Sequence, residues 1–248
     1  MAGAALLGRL TWLAATVAAA APETARARTL TLDVPGWPGH RAGQHVDVRL
    51  TAEDGYRAER AYSLASAPGE APAITVERLD DGEVSPYLVD EVLEGDEFEV
   101  RGPVGGYFVW SPDDGGPLLL VAGGSGVVPL RAIVRHRRLS GSDVPARLLY
   151  SARSLDEVIY REELEAAADP RLDVILTLSR SRPPGWTGRS GRVDADLLAT
   201  VTWPAADAPL AFVCGPTSFV EAVAAGLVEV GYDPARVKTE RFGATGGR

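Results

Sequence analysis

The chain has 248 residues, 46% hydrophobic and 24% charged, the balance of a water-soluble globular protein long enough for two cores. Its 34 acidic and 25 basic residues give a formal net charge of −9, which opposes a phosphate backbone and argues against general nucleic-acid binding. A single cysteine, Cys214, excludes an internal disulfide and a four-thiolate iron–sulfur cluster, and His40, His45 and His136 lack metal-ligand spacing, so no bound metal is expected.

At the N-terminus, Arg9 precedes LTWLAATVAAAAP, which superficially resembles a short secretory leader. Thr11 and Thr16 break that run, and it leads into ETARARTLTLDVPGW, which alternates as an amphipathic strand does, so a strand is the preferred reading. No segment approaches the roughly 18 apolar residues of a spanning helix. Short strands follow at RTLTLDV, QHVDVRL, RAYSLAS, PAITVERL and DEFEVRG, punctuated by Gly, Pro and Asp-Gly. One helix interrupts at SPYLVDEVL, with Ser85 as cap and Pro86 in the first turn. The pattern predicts a small antiparallel barrel with one helix.

After SPDDGG at 111–116 the rhythm becomes strand–helix alternation, so the expected domains are residues 1–112 and 113–248. Five apolar strands, PLLLVAG, ARLLYSA, LDVILTLS, PLAFVCG and RVKTERFG, alternate with helices expected at 127–139, 156–167, 194–201 and 217–230. This is the pattern of an open parallel sheet covered by helices, whose ligands sit beyond the carboxyl ends of the strands.

Two glycine turns lie at such strand ends. Gly123, Gly124 and Gly126 let the backbone approach a ligand closely, and the helix after them turns unpaired N–H groups toward a pyrophosphate. No Gly-Lys-Ser/Thr follows, and Pro129 stands where G-x-G-x-x-G has its third glycine; taken alone, a purely structural turn fits equally well. The second turn is Cys214–Gly215–Pro216, small enough for a flat ring to lie against the backbone, although a lone cysteine is more often a packed hydrophobe. In TLSRSRPPGWTGRSGR, Ser179 and Arg180, with Arg189 or Arg192, can grip a ribose phosphate. The preceding strand ends in YSARS without the carboxylate that meets an unmodified ribose, which favours NADPH over NADH; solvated loop arginines fit the same letters. In RAYSLASAP, Arg60 and Tyr62 project from one strand face, the first suited to a pyrophosphate and the second to a planar heterocycle; an exposed edge strand also explains them.

Taken together, RAYSLASAP, GEVSPYL, GPVGGYF, GGSGVVP and CGPTSFVE occur in the order of the ferredoxin–NADP⁺ reductase superfamily, and the chain resembles it over residues 43–243. The resemblance implies a Greek-key flavin-binding barrel followed by a five-stranded parallel nucleotide-binding domain. It implies that Arg60 binds the FAD pyrophosphate, Tyr62 packs on the isoalloxazine and Ser63 hydrogen-bonds the ring near its reactive nitrogen. Gly82, Val84 and Ser85 would meet the pyrophosphate, and Gly43, Gln44 and His45 would border the ring. Gly124, Ser125, Gly126 and Pro129 would receive the dinucleotide, Ser179 and Arg180 its 2′-phosphate, and Cys214, Gly215 and Pro216 the nicotinamide. By the same likeness Glu240 and Phe242 would lie near the flavin with Ser63 and Cys214, Phe242 covering the ring until nicotinamide displaces it; an aromatic filling the domain interface is the other reading.

The expected protein is thus a monomeric, cytoplasmic FAD-dependent oxidoreductase that accepts hydride from NADPH, or NADH, and passes electrons to a separate protein acceptor such as a ferredoxin. Arg131, Arg135 and Arg138 in RAIVRHRR offer a dock for an acidic partner, or a solvated basic face. A free-standing flavin or quinone reductase and a non-catalytic nucleotide-binding regulatory subunit are the alternatives.

Overall fold

The computed structural model describes residues 10–166 and 169–242. Ala167 of the helix expected at 156–167 and Gly243 of the last expected strand lie outside these residues.

The apolar N-terminal run forms strand β1 (Trp12–Thr24), with Ala15 and Val17 buried. It pairs antiparallel with β2 (Ala27–Asp33) on one side and β6 (Glu97–Val104) on the other. Pro22, which has no N–H to give a ladder, stands at a register shift of β1. With β3 (His45–Thr51), β4 (Arg57–Ser63) and β5 (Ala73–Glu77) the sheet order is β4-β3-β6-β1-β2-β5. The two edges meet just past Ser63: Leu64 bridges Ile74, and the Ala65 N–H donates to the Ala73 carbonyl at 2.7 Å, curling the sheet into a barrel. Leu30, Leu32, Val46, Val48, Leu64, Ile74 and Val100 fill its interior, each buried aliphatic side chain stabilising by about 1.5–3 kcal/mol.

The helix expected at SPYLVDEVL is a five-residue π-helical turn, Tyr87–Glu91. Ser85 does not cap it; its Oγ accepts from the Leu79 N–H at 3.0 Å and closes the preceding loop instead.

The second half is built as the alternation predicts: β7 (Leu118–Gly123), α1 (Val127–Leu139), β8 (Ala146–Ala152), α2 (Arg161–Glu165), β9 (Leu172–Leu178), β10 (Arg189–Ser190), α3 (Ala195–Val201), β11 (Leu210–Pro216), α4 (Thr217–Glu229) and β12 (Val237–Phe242). The parallel order is β10-β9-β8-β7-β11-β12. The sixth strand, β10, is a two-residue edge too short to show a hydrophobic pattern. Successive strands move outward from β7 through β8 and β9, then restart at β11 on its other side. The switch point therefore falls between the carboxyl ends of β7 and β11, at Gly123 and Gly215.

The helix expected over 156–167 is broken. Residues Leu155–Glu157 make a single 3₁₀ turn, and Tyr160, at φ 60°, stands in the left-handed region and stops any continuation before α2. Its ring is buried between the two halves, where its hydroxyl makes a short hydrogen bond with that of Thr75 on β5.

The halves share one apolar core. Ala27, Ala42, Ala65, Ala73, Phe108 and Trp110 of the first pack in a single cluster with Leu120, Val128, Ala132 and Phe212 of the second. Trp110 is fully buried, donates its indole N–H to the Gly115 carbonyl at 3.4 Å and meets the His136 ring edge-on at 5.9 Å. Ion pairs reinforce this seam. Arg131 binds Glu163 at 2.6 Å, while Arg135 pairs with Glu163 at 3.0 Å and with Glu70 on the barrel side. Two of the three arginines read as a docking face are thus committed internally, which removes them as free cations for a partner.

Candidate active site

On the barrel, β3 and β4 place the flavin-motif residues in register: Val48 opposite Arg60, Val46 opposite Tyr62 and His45 opposite Ser63. The face that Arg60 and Tyr62 share runs from solvent inward, from exposed Arg60 through half-buried Tyr62 to fully buried Leu64 just past the end of β4. Burial raises the Tyr62 phenol far above its ordinary pKa, so it stays neutral. Arg60 donates to Glu83 at 2.6 Å, and Glu83 also accepts from the Tyr56 hydroxyl at 2.8 Å. Glu83 sits between Gly82 and buried Val84, in the segment expected to meet a pyrophosphate, so the anion position on Arg60 is held by a carboxylate. Beyond Glu83 opens a cavity of about 700 Å³ lined in part by Tyr56, Tyr87, Phe98 and Arg49.

The segment before β3 is braced. A Cβ on Gly43 (φ +97°) would lie 1.9 Å from the Phe108 carbonyl oxygen, so only glycine fits. Gln44 accepts from the Arg41 N–H at 2.7 Å and donates to the Gly105 carbonyl at 2.7 Å. Its amide is spent on structure, whereas His45 faces Glu240 of the other half.

On the other side, β7 delivers Gly123 into a 3₁₀ turn, Gly124–Gly126, that opens α1. A Cβ on Gly126 would come within 2.1 Å of the Cys214 carbonyl oxygen; the turn is pressed onto β11 and tolerates no side chain there. Ser125 reaches the cleft, whereas Pro129 is buried in the first turn of α1. Phe219, which the sequence reading did not single out, nests against Gly123 and Gly215; a Cβ on either would meet its ring within 2.8 Å. Pro216 is exposed at the end of β11, with Thr217 starting α4.

The two sides meet in one row. His45, opposite Ser63, places Nδ1 3.9 Å from Oε1 of Glu240, and Glu240 stands beside Cys214 in the parallel β11–β12 register. Burial raises the Glu240 carboxyl to about 7, and its Oε2 is buried without a hydrogen-bond partner among the described residues. Burial, with Glu240 beside it, pushes the Cys214 thiol well above its usual range, so it is no thiolate nucleophile. Burial lowers the His45 imidazole, while Asp47 opposes that shift. A cavity of about 140 Å³ lies alongside, with Tyr62, Ser63 and Thr75 from the barrel and Ser125, Val128 and Phe242 from the α/β half among its walls.

At the outer end of the sheet, Ser179 and Arg180 share a cavity of about 370 Å³ with Ser151, Arg153 and Arg192. Arg189 lies outside that lining, in β10. Arg153 went unremarked in the sequence because it ends a different strand; its guanidinium is held 3.7 Å from Glu157.

Residues 20–109 match the oxidoreductase FAD-binding domain family, and residues 120–225 match the oxidoreductase NAD-binding domain family. The chain is 34% identical over 241 residues to the ferredoxin reductase component of a 3-ketosteroid-9-alpha-monooxygenase of Rhodococcus rhodochrous, covering 94% of this chain and 65% of that protein. It is 37% identical to ferredoxin–NADP reductase B of Sorangium cellulosum over 81% of this chain and 84% of the relative. The fold superposes on the FAD/NAD-binding domain of a nitric oxide dioxygenase of Vibrio cholerae with a TM-score of 0.83, at 25% identity over 94% of this chain and 99% of the other. A cytochrome P450 reductase of Amycolatopsis aligns with a TM-score of 0.82 at 27% identity, over 94% of this chain and 70% of that one. With both an FAD-binding and an NAD-binding oxidoreductase domain matched, and a ferredoxin–NADP reductase 37% identical to it, the chain belongs to the ferredoxin–NADP⁺ reductase superfamily of flavin-dependent oxidoreductases.

Proposed function

We propose that this protein takes hydride from NADPH onto FAD and passes the electrons to a separate one-electron protein acceptor. The observation that carries the reading is the row Ser63, His45, Glu240 and Cys214, which joins the barrel motif to the nucleotide sheet across one cleft.

The residues fit the flavin. Arg60 already binds an anion, the Glu83 carboxylate, where a pyrophosphate is expected; the cavity beyond Glu83 has room for an adenosine half. Glu240 offers a buried polar oxygen that no group among the described residues satisfies. Bound FAD supplies the redox chemistry, accepting two electrons as hydride and releasing them singly. The chain's own residues bind and align. Gly43, Gln44, Gly82, Val84 and Ser85 shape the barrel side of the site; Gly124, Ser125 and Gly126 offer backbone to the dinucleotide, and Cys214, Gly215 and Pro216 leave space for the nicotinamide. Arg180, joined by Arg153 and Arg192, supplies the cations for a 2′-phosphate, with Ser179 beside them. Phe242 walls the cleft from the α/β half and shields it from water. The relatives named as reductase components of a monooxygenase and as a ferredoxin reductase support a protein acceptor.

The experiment is anaerobic mixing of the purified, FAD-loaded protein with NADPH. Bleaching of the flavin absorbance, followed by recovery on adding a ferredoxin but not free flavin or quinone, is the expected result. Flavin that stays oxidised, or protein that retains no flavin, sinks the reading.

A further inference from the structure

We infer that Arg131 is a positioning residue that ties the helix behind the nucleotide loop to the flavin-binding strand, with Tyr160 and Glu163 holding it in place. Arg131 lies one turn into α1, the helix opened by Gly124–Gly126. Its guanidinium leaves that helix and donates through Nη1 to the carbonyl of Ala65, within the RAYSLAS segment, at 3.0 Å. On its other side Nε donates to Glu163 at 2.7 Å, and its carbon centre stacks 4.4 Å from the centroid of the Tyr160 ring. Carbonyl, carboxylate and ring face together use the planar fork and the flat face of an arginine, which a lysine cannot reproduce.

Tyr160 shows how strongly this arrangement is enforced. A bulky non-glycine residue at φ 60° is strained, and such a conformation persists only where its surroundings over-determine it. Here they do: its N–H donates to Glu23 at 3.2 Å, its hydroxyl bonds that of Thr75, and Arg131 covers its ring. Both branches of the clasp end on the active cleft. Ala65 lies two residues beyond Ser63, and Thr75 itself lines the same cavity as Tyr62 and Ser63. The clasp therefore presets the separation of the two bound rings, and hydride transfer is steeply sensitive to a displacement of about 1 Å. This inference rests on the hydride-transfer reading above.

The test uses FAD-loaded enzyme carrying Arg131→Met, Arg131→Lys or Tyr160→Phe. Arg131→Met is expected to slow flavin reduction at saturating NADPH by about tenfold or more and to weaken the long-wavelength absorbance of stacked reduced flavin and NADP⁺. FAD affinity and the KM for NADPH should change less than about threefold, and reoxidation by ferricyanide should not change. Arg131→Lys should recover only part of the rate, and Tyr160→Phe, which loses one hydroxyl and keeps the ring, should lose about threefold. Amide exchange at Ser63–Ser66 should quicken in Arg131→Met while that of Val100 in the barrel core stays fixed. An unchanged reduction rate, full rescue by lysine, or exchange unaltered at Ser63–Ser66 overturns the inference. A wild-type flavin that NADPH fails to bleach overturns the parent reading instead, and the exchange measurement then still decides whether the clasp exists.

Discussion

His45 and Glu240 face each other across the seam between barrel and nucleotide sheet, Nδ1 to Oε1 at 3.9 Å, with the other Glu240 oxygen buried and unpartnered among the described residues. With the imidazole lowered and the carboxyl raised to about 7, a neutral ring faces a carboxyl that is only part-ionised near neutrality, rather than a full salt bridge. An acid whose folded pKa lies above its unfolded value, here about 7 against 4.5, binds its proton more tightly in the fold. Folded stability is therefore highest below the unfolded value and falls as pH rises from about 4.5 to about 7, by roughly 3 kcal/mol at most. Glu240→Gln should remove that slope. Urea unfolding at pH 5 and pH 8 should show the variant gaining stability over the parent at pH 8; a parallel pH dependence would reject the assignment.

Gly126 carries a second prediction. Because a Cβ there would sit 2.1 Å from the Cys214 carbonyl, Gly126→Ala must lift the nucleotide loop off β11. A loss of about 2–4 kcal/mol in unfolding free energy is expected, together with weaker NADPH binding by titration.

For the ribose end, Arg180→Ala should raise the KM for NADPH about 10- to 100-fold, the worth of one charge-assisted contact to a phosphate. The KM for NADH should move less than about threefold. Equal losses for both dinucleotides would show that the arginine does not read the phosphate.

Arg60 and Glu83 give a pair of opposed effects on flavin affinity. The ion pair is about half exposed, with side chains 51% and 49% accessible, so Glu83 competes with a pyrophosphate only weakly. Glu83→Gln should tighten FAD by about two- to fivefold in equilibrium dialysis, whereas Arg60→Ala should loosen it about tenfold or more. If the glutamine variant binds FAD more weakly, Glu83 serves the bound cofactor rather than competing with it.

The barrel and the α/β half, the two glycine turns and the limits of α1 and α3 were legible because each is written in local chemistry: alternation, apolar periodicity, or glycine where no Cβ fits. The break at Tyr160 was not. Nothing in SLDEVIYREEL marks a left-handed residue, since that conformation is imposed by Glu23, Thr75 and Arg131 from elsewhere in the chain. The same distance hid the use of Arg131 and Arg135. On a helix they read as a solvated or docking face, and only the packed halves reveal that Glu70, Glu163 and Ala65 consume them. Phe219 was missed for a related reason: its position is fixed by two glycines that looked reserved for a ligand.

The burial of Trp110 at the seam has a practical side. Its indole is wedged among apolar groups from both halves and lies edge-on to His136, so separation of the halves would bring water to a ring that is otherwise dry. With Trp12, Trp37, Trp186 and Trp203 replaced by phenylalanine, its emission is an intrinsic optical gauge of whether the halves part during turnover, readable without attaching any dye to the protein.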